Sequence, residues 1–593
     1  MIVVISDLHL QHTRHDSIRH VEANSVVETQ IVRNVGAGAL RLLLSEIAEN
    51  VARTGATSVE LVLAGDIFEI HRTPRWFLGG RGYRPVLFPP DEALERVVTT
   101  ILDDIAFDNR EFFDVLAEVV EQGTFSRHGS SANVGAPITV HFLPGNHDRL
   151  VDCFDSTRRR VRDLLHVRSG YPSEPFPHEL LRDRTSGYGV LIRHGHEYDE
   201  TNFALTFDPR DPPAASTYAA PAFGDYVTVD IATRLAVAFR AHYALKLRDP
   251  GADGRTYRKI YAALTEFDDV RPPGMLVQYL NDCVGNALEI LRPVLRDVFE
   301  AARADSFFIQ ETRRLGFAKY FEGPLAELIE AALENLSAET IAKVLGAFTK
   351  LRGASEGSPA GSARHEPALS SGQVQLVVAG HTHEPAHVSM PAAGGGAAYF
   401  LDTGTWRTRI DAGEAGTFGR LRAYTSVVCY HEAERKGEEL RSFETWTGHL
   451  LSDGYGLSEK RRARADAEPS RKVRLISCTI HHVDEGETFD GAELELHFGV
   501  DAAEHVFCVD GVKDDTVIAI GHELEAFPAL DGEVWCWGLE KDWGDSFLDR
   551  DDPLPWAVDF LERDPKGGFV AGARKLFVTD NQGSAVTVEY EVL

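Results

Sequence analysis

Short apolar, β-branched runs punctuate the first two hundred residues: Ile2–Ile5, Val59–Leu63, Ile138–Leu143 and Gly189–Arg193. Most pass at once into polar turn residues, the pattern of strands buried on both faces of a mixed or parallel sheet. Between them, Ala39–Arg53 and Asp91–Ile105 repeat apolar residues at helical spacing. The alternation predicts an α/β fold.

The pattern then changes. Phe223–Arg248, Met275–Ala304 and Leu325–Leu351 carry apolar residues at helical spacing with charges between them, and Gly353–Gly372 is rich in Gly, Ser, Ala and Pro. This predicts a helical insertion, a cap or lid, ending in a mobile loop. Strand-like runs resume at Val374–Ala379 and Ala398–Leu401, and a charged stretch around Ser458–Asp466 reads as a linker or exposed helix. Beyond it lie short alternating runs at Val473–Ile480, Ala492–Val500, Thr516–Ile520, Glu533–Leu539, Arg574–Thr579 and Ala585–Val592. Turn residues separate them, which predicts an antiparallel β-sandwich. The expected division is a catalytic α/β domain over 1–222 and 374–455, the insertion and its loop over 223–373, a linker over 456–471 and the sandwich over 472–593.

Composition narrows the classes. With 43% hydrophobic and 26% charged residues among 593, disordered, collagenous and fibrous chains are excluded. No stretch reaches the length of apolar residues that a membrane helix needs. No basic leader precedes the first strand, and six scattered cysteines without a C-x-x-C read as buried thiols of a reducing compartment, so a cytoplasmic protein is expected. The formal net charge of -30 repels phosphate backbones, which disfavours a nucleic-acid partner unless a basic patch or a metal offsets it.

Metal-binding side chains recur where the predicted strands end: Asp7-Leu8-His9, Gly65-Asp66-Ile67-Phe68-Glu69, Gly145-Asn146-His147-Asp148, His194-Gly195-His196 and Gly380-His381-Thr382-His383. Carboxylate, imidazole and amide oxygen together suit a first-row transition metal better than an all-oxygen or a thiolate site would. On an extended segment, D-x-H and H-x-H would project both side chains from one face. The glycines before Asp66, Asn146 and His381 would let the backbone turn sharply. C-terminal strand ends are where open α/β sheets place their sites.

These five blocks, present and in order over about residues 1–200 and 374–430, resemble the calcineurin-like metallophosphoesterase superfamily. In motif style they are nearest its UDP-2,3-diacylglucosamine hydrolase-like branch, whose members carry a helical cap. The resemblance implies a four-layer α/β/β/α sandwich with a cap insertion. It implies two divalent metal ions, with manganese expected and iron, zinc, nickel or magnesium as alternatives. Asp7, His9 and His383 would hold one ion and Asn146, His194 and His381 the other, with Asp66 bridging. The reaction implied is hydrolysis of a phosphodiester or phosphomonoester by metal-activated hydroxide. His147 would then stabilise the phosphoryl group or protonate the leaving alkoxide, and Asp148 would orient His147. This chain has a longer insertion than that branch, and His147 stands where the branch carries Arg, which points away from lipid A precursors towards general phosphoesters.

Two other readings stay open. One is a nuclease on DNA or RNA, for which Arg72, Arg75, Arg81, Arg84 and the Arg158–Arg162 run supply cations. The other is a non-catalytic scaffold with a structural metal. The loop Trp76–Arg84 reads equally as a base or phosphate clamp and as packing against the cap. His71, His141 and His387 read as ordinary polar residues, Trp406 as core and His481-His482 as a strand pair without metal. The acidic cluster Asp542, Asp545, Asp549, Asp551 and Asp552 reads as a solvated loop or, in a C2-like sandwich, a calcium loop. The sandwich itself is expected to serve a protein partner or to support the other domains.

Overall fold

The computed structural model describes the chain except residues 14–15, 23–24, 79–83, 128, 272–274, 316–358, 393–395, 414–416, 436–441, 450–455, 464–469, 482–491, 513–514, 527–529, 542–551, 563–568 and 580–584. The described residues form a mixed α/β protein with several sheets. One five-stranded sheet runs Phe443–His449, Ala423–Cys429, Ile2–Ile5, Val59–Ala64, Ile138–Leu143. Its last three strands are parallel. The other runs Ala386–Pro391, Ala397–Asp402, Leu376–Ala379, Val190–Arg193, Glu179–Arg182, with the central three parallel.

Strand periodicity explains the layering. Successive side chains face opposite ways, so Ile2, Val4, Val62 and Ala64 meet Val190, Ile192, Leu376 and Val378 of the other sheet. Val3, Ile5, Leu61 and Leu63 turn outward to the helices Ala37–Thr54, Glu92–Asp108 and Arg110–Gln122. The outer face of the second sheet, with Leu191, Val377 and Phe400, packs on Ala360, Ala363 and Leu369. Both faces of the parallel strands are therefore buried, which is why the runs are apolar throughout instead of alternating. Asp91 starts its helix by accepting the Leu94 N–H (2.8 Å), and Gly55, in the left-handed region, ends the one before.

The insertion is helical as expected, with one irregularity. Phe223–Tyr226 and Arg234–His242 are α-helical, but Val227–Thr233 between them is a π-helix, a form that occurs chiefly at functional sites. Helices Leu276–Cys283 and Ala287–Ala304 follow. The expected helix Leu325–Leu351 lies outside the described residues. The Gly/Ser-rich stretch is not simply a loop: its described part holds the short helices Pro359–Ala363 and Pro367–Ser370.

The 456–471 segment also departs from expectation. Gly456–Ala463 is a strand, antiparallel to Ser25–Val32 from Gly456 opposite Val32 to Ala463 opposite Ser25. Its charged residues gave no apolar signal because the pairing is made by backbone groups, which sequence pattern does not report.

The C-terminal region forms two four-stranded antiparallel sheets around one apolar core, including the strands Ala503–Val512 and Asp552–Phe560 that sequence pattern missed. It is seated against the insertion through buried ion pairs. Arg240 donates to Glu533 (2.9 Å), while Arg248 reaches Glu533, Asp531 (3.2 Å) and Asp501 (3.5 Å). Trp535 and Val558 join the apolar core of the first sheet. The acidic residues 542–551 lie outside the described residues. No described helix is long and apolar enough to cross a membrane. Cys429, Cys478 and Cys536 are buried as expected, whereas Cys508 is exposed.

Candidate metal centre

Every ligand block sits at the C-terminal end of a parallel strand, as the α/β pattern requires. Past its strand end, the first loop keeps pairing with the second: the Asp7 N–H donates to Gly65 O (3.0 Å), His9 N–H to Asp66 O (2.9 Å) and Leu10 N–H to Ile67 O (2.8 Å). The expectation of extended D-x-H and H-x-H segments is corrected here. Asp7 (φ 52°), His9 (45°), Asp66 (52°), His381 (74°) and His383 (63°) all lie in the left-handed region. They are five of the eight described non-glycine residues that do so. Backbone strain of this kind persists where surrounding structure imposes it, and it gathers at functional sites.

The glycines act differently from one another. Gly65 itself has φ 90°. Gly145 and Gly380 need room instead: a Cβ on Gly145 would run into Asp66, and one on Gly380 into Ser6 and Asp7. Gly380→Ala is therefore expected to displace the Asp7 carboxylate and strip metal from the chain, read as a fall in bound metal by elemental analysis; unchanged content would mean that the crowding relaxes harmlessly.

Two clusters result. His9 Nε2 and His383 Nε2 are 3.0 Å apart, and His383 Nε2 is 3.3 Å from Asp7 Oδ1. Asn146 Oδ1 lies 3.2 Å from His194 Nε2 and 3.1 Å from His381 Nδ1. Asp66 Oδ2 sits between them, 3.3 Å from His194 Nε2 and 3.8 Å from His9 Nε2. All seven expected ligands thus converge and are buried.

The donor set fits two cations. Asp7 Oδ1 is a buried carboxylate oxygen without a hydrogen-bond partner. Three imidazoles are held from behind: His9 Nδ1–H donates to Glu69 Oε2 (2.9 Å), His194 Nδ1–H to Ala64 O (2.9 Å) and His381 Nε2–H to Asp199 Oδ2 (3.1 Å). Each turns its other ring nitrogen inward, the arrangement of metal-bound histidines. Burial alone would raise the pKa of Asp66, but the charges of His194 and His147 hold it well below the usual carboxylate range. Asp7 is likewise held low against its burial, by the neighbouring His383 and His9.

His147 reaches the same cavity, but its partner is not the expected one. Its Nδ1–H donates to Glu69 Oε1 (2.8 Å). Asp148 instead accepts the backbone N–H groups of Phe68 (2.8 Å), Ile67 (3.1 Å) and Gly145 (3.2 Å), and so ties the Asp66 turn to the Asn146 turn. Burial would lower the pKa of His147; Glu69 and Asp66 overcome it and raise it to about 10. Glu69 thus supports both His9 and His147. Glu69 stands in its motif without an assigned role there, whereas Asp199, five residues beyond His194, lies outside the motifs. His71 was read as ordinary, yet its ring lies 5.2 Å from that of His147. His196 is buried against Phe203 and Tyr218 and takes no part in either cluster.

The clusters form the floor of a cavity of about 140 Å³, walled by Thr201 and Asn202 and, from the insertion, by Phe223, Val227, Thr228, Ile231 and Ala232, with Phe267, Asp268 and Arg271. The π-helix supplies four of these. Of the arginines that favoured a nucleic-acid partner, Arg81 lies outside the described residues and six others are engaged by protein groups. Arg72 donates to Thr265 O (2.9 Å), Arg75 to Asp104 (2.7 Å), Arg158 to Ser173 O (2.7 Å), Arg160 to Asp103 (3.0 Å) and Arg162 to Tyr171 O (3.1 Å). Arg84 pairs with Asp230 (2.8 Å) and covers the Phe77 ring, while Trp76 donates to Ile70 O (3.0 Å), so the described part of the Trp76–Arg84 loop packs against the insertion. Trp406 is core.

No family model matches the chain, and neither does any curated protein. Among solved structures, one described as the structure of a C2 domain is similar over 21% of this chain and 97% of its own, at 13% identity and a TM-score of 0.14, a likeness too low to carry an argument.

Proposed function

We propose that this chain is a phosphoesterase of the calcineurin-like metallophosphoesterase type, a four-layer sandwich working with two divalent cations, manganese first among them. One observation carries the reading: Asp66 Oδ2 lies between an Asp7–His9–His383 cluster and an Asn146–His194–His381 cluster, each with imidazole nitrogens turned inward. When bound, such a pair supplies Lewis acidity and brings the pKa of water towards neutrality, so that no side-chain nucleophile is needed.

The chain's own part is positioning and proton transfer. Asp7, Asp66 and Asn146 supply oxygens, and left-handed backbone and N–H contacts to their carboxylates fix Asp7 and Asp66. Glu69 accepts from His147 Nδ1–H and favours its protonated form, which could bond a phosphoryl oxygen or donate its proton to the departing alkoxide. The walls from the insertion exclude water. A small phosphoester is favoured over a polynucleotide, because the arginines near the site are spent on protein partners and the net charge is -30. For the sandwich we propose a C2-like supporting domain.

The test is hydrolysis of bis-(p-nitrophenyl) phosphate, p-nitrophenyl phosphate, nucleotides and single-stranded DNA and RNA with Mn²⁺, Mg²⁺ or Zn²⁺. Turnover of the small esters that stops on chelation and returns with Mn²⁺ is expected. Cleavage confined to oligonucleotides would move the reading to a nuclease, and no turnover with any metal would leave a scaffold.

A further inference from the structure

Arg271 belongs to the insertion but stands in the metal cavity. It ends the two-residue strand Val270–Arg271, which pairs in parallel with Arg409–Ala412 so that Arg271 lies opposite Asp411. That pairing fixes its backbone to the third strand after the last histidine block. Its side chain is buried. Nη1 donates to the carbonyls of Val270 (3.1 Å) and Asp268, and Nη2 to His383 Nδ1 (3.0 Å). Among the described residues lining the cavity it is the one arginine or lysine.

Its position is informative. The rings of His147 and His9 are 4.7 Å apart and those of His9 and His383 4.9 Å, and Arg271 follows at the far side of His383. His147 and Arg271 therefore flank the Asp7-side cluster from opposite ends, both lining the cavity.

The hydrogen bond to His383 is also incompatible with ligation. A neutral imidazole carries one N–H. When Arg271 donates to Nδ1, that proton sits on Nε2, the nitrogen facing Asp7 Oδ1. Once Nε2 gives its lone pair to a cation, the proton belongs on Nδ1, and two donors then face each other. The Arg271 N–H must find another acceptor, and the cavity it lines is where a phosphoryl oxygen would come. Guanidinium is the side chain best suited to such an oxygen, because it is always charged and presents paired donors.

Resting on the phosphoesterase reading above, we infer that Arg271 is a substrate-binding residue. It exchanges His383 Nδ1 for a non-bridging phosphoryl oxygen, and so closes the insertion's wall onto the substrate's phosphate. The exchange also links the two occupants: phosphate that takes up the Arg271 N–H favours ligation through His383, and metal at His383 favours phosphate.

Titration calorimetry of inorganic phosphate into the manganese-loaded full-length chain tests this, with manganese content measured on the same samples. Arg271→Met should weaken phosphate binding about tenfold or more while two manganese ions stay bound, and Arg271→Lys should recover part of the loss. Arg271→Gln, which keeps donors for the two carbonyls, serves as well should the methionine variant be unfolded. Unchanged phosphate affinity would overturn the inference. So would a variant holding a single manganese ion, since Arg271 would then be a support for His383 and not a phosphate contact. A parent protein that binds two manganese ions but no phosphate would instead overturn the phosphoesterase reading itself, and this inference with it.

Discussion

Asp66→Ala is expected to empty both metal positions at once and to lower turnover by about a thousandfold or more, the several kcal/mol that a Lewis-acid pair supplies. The two Asp66 oxygens have different tasks. Oδ1 accepts the His147 backbone N–H (2.8 Å) and so holds the third loop against the second. Oδ2 faces both clusters. A variant at any other ligand removes one contact from one cluster; this one removes the shared oxygen and loosens Asn146 as well. Elemental analysis should find the parent with two ions per chain and the variant with close to none. Manganese should raise the thermal midpoint of the parent, as a ligand of the folded state does, at 100 times its Kd by about 2.7 kcal/mol of stability per site, and leave that of the variant unmoved. Two ions retained in Asp66→Ala, with turnover intact, would remove Asp66 from the bridge and the dinuclear reading with it.

A second large effect should come without any loss of metal. His147 lies beside the clusters, its ring 4.7 Å from that of His9, yet it belongs to neither the Asp7 set nor the Asn146 set. His147→Ala should therefore bind two ions as the parent does and lose about 10²–10⁴ in kcat, the range for a positioned proton donor. Glu69→Gln separates positioning from acidity. Glutamine still offers an oxygen to one imidazole, but the largest of the negative charges that raise His147 is gone, and burial then lowers it against Asp66 alone of the two carboxylates named above. The expected signature is a modest fall in kcat and an alkaline limb of the pH–rate profile displaced to lower pH, since the protonated form of His147 is then lost earlier. If His147→Ala instead loses an ion, His147 is a ligand and the division of labour drawn here is wrong.

The candidate ligands were legible because each block carries a metal-binding residue type in a short motif, and because the apolar run before it announces a buried strand. The structure brings the blocks together in the sets that the resemblance implies: Asp7 with His9 and His383, Asn146 with His194 and His381, Asp66 between. Their spacing has other physical causes than extended backbone and turning glycines. Periodicity of two does not align Asp7 with His9, since both are left-handed. Gly145 and Gly380 serve close approach, not a special φ. Asp148 follows His147 in sequence and yet serves the neighbouring turn, because a residue's immediate neighbour need not share its direction once the chain bends.

Local pattern in this chain therefore specified the buried strands, the loops at their ends and the chemistry those loops carry, since apolar periodicity and residue type act over a few positions. Folding alone chose Glu69 as the partner of both His9 and His147, set Asp199 behind His381, brought Arg271 across more than one hundred residues to His383, and drew the charged strand Gly456–Ala463 onto Ser25–Val32. Those choices depend on which distant groups share a low-dielectric space and must satisfy one another's hydrogen bonds there, a condition that no single stretch of sequence contains.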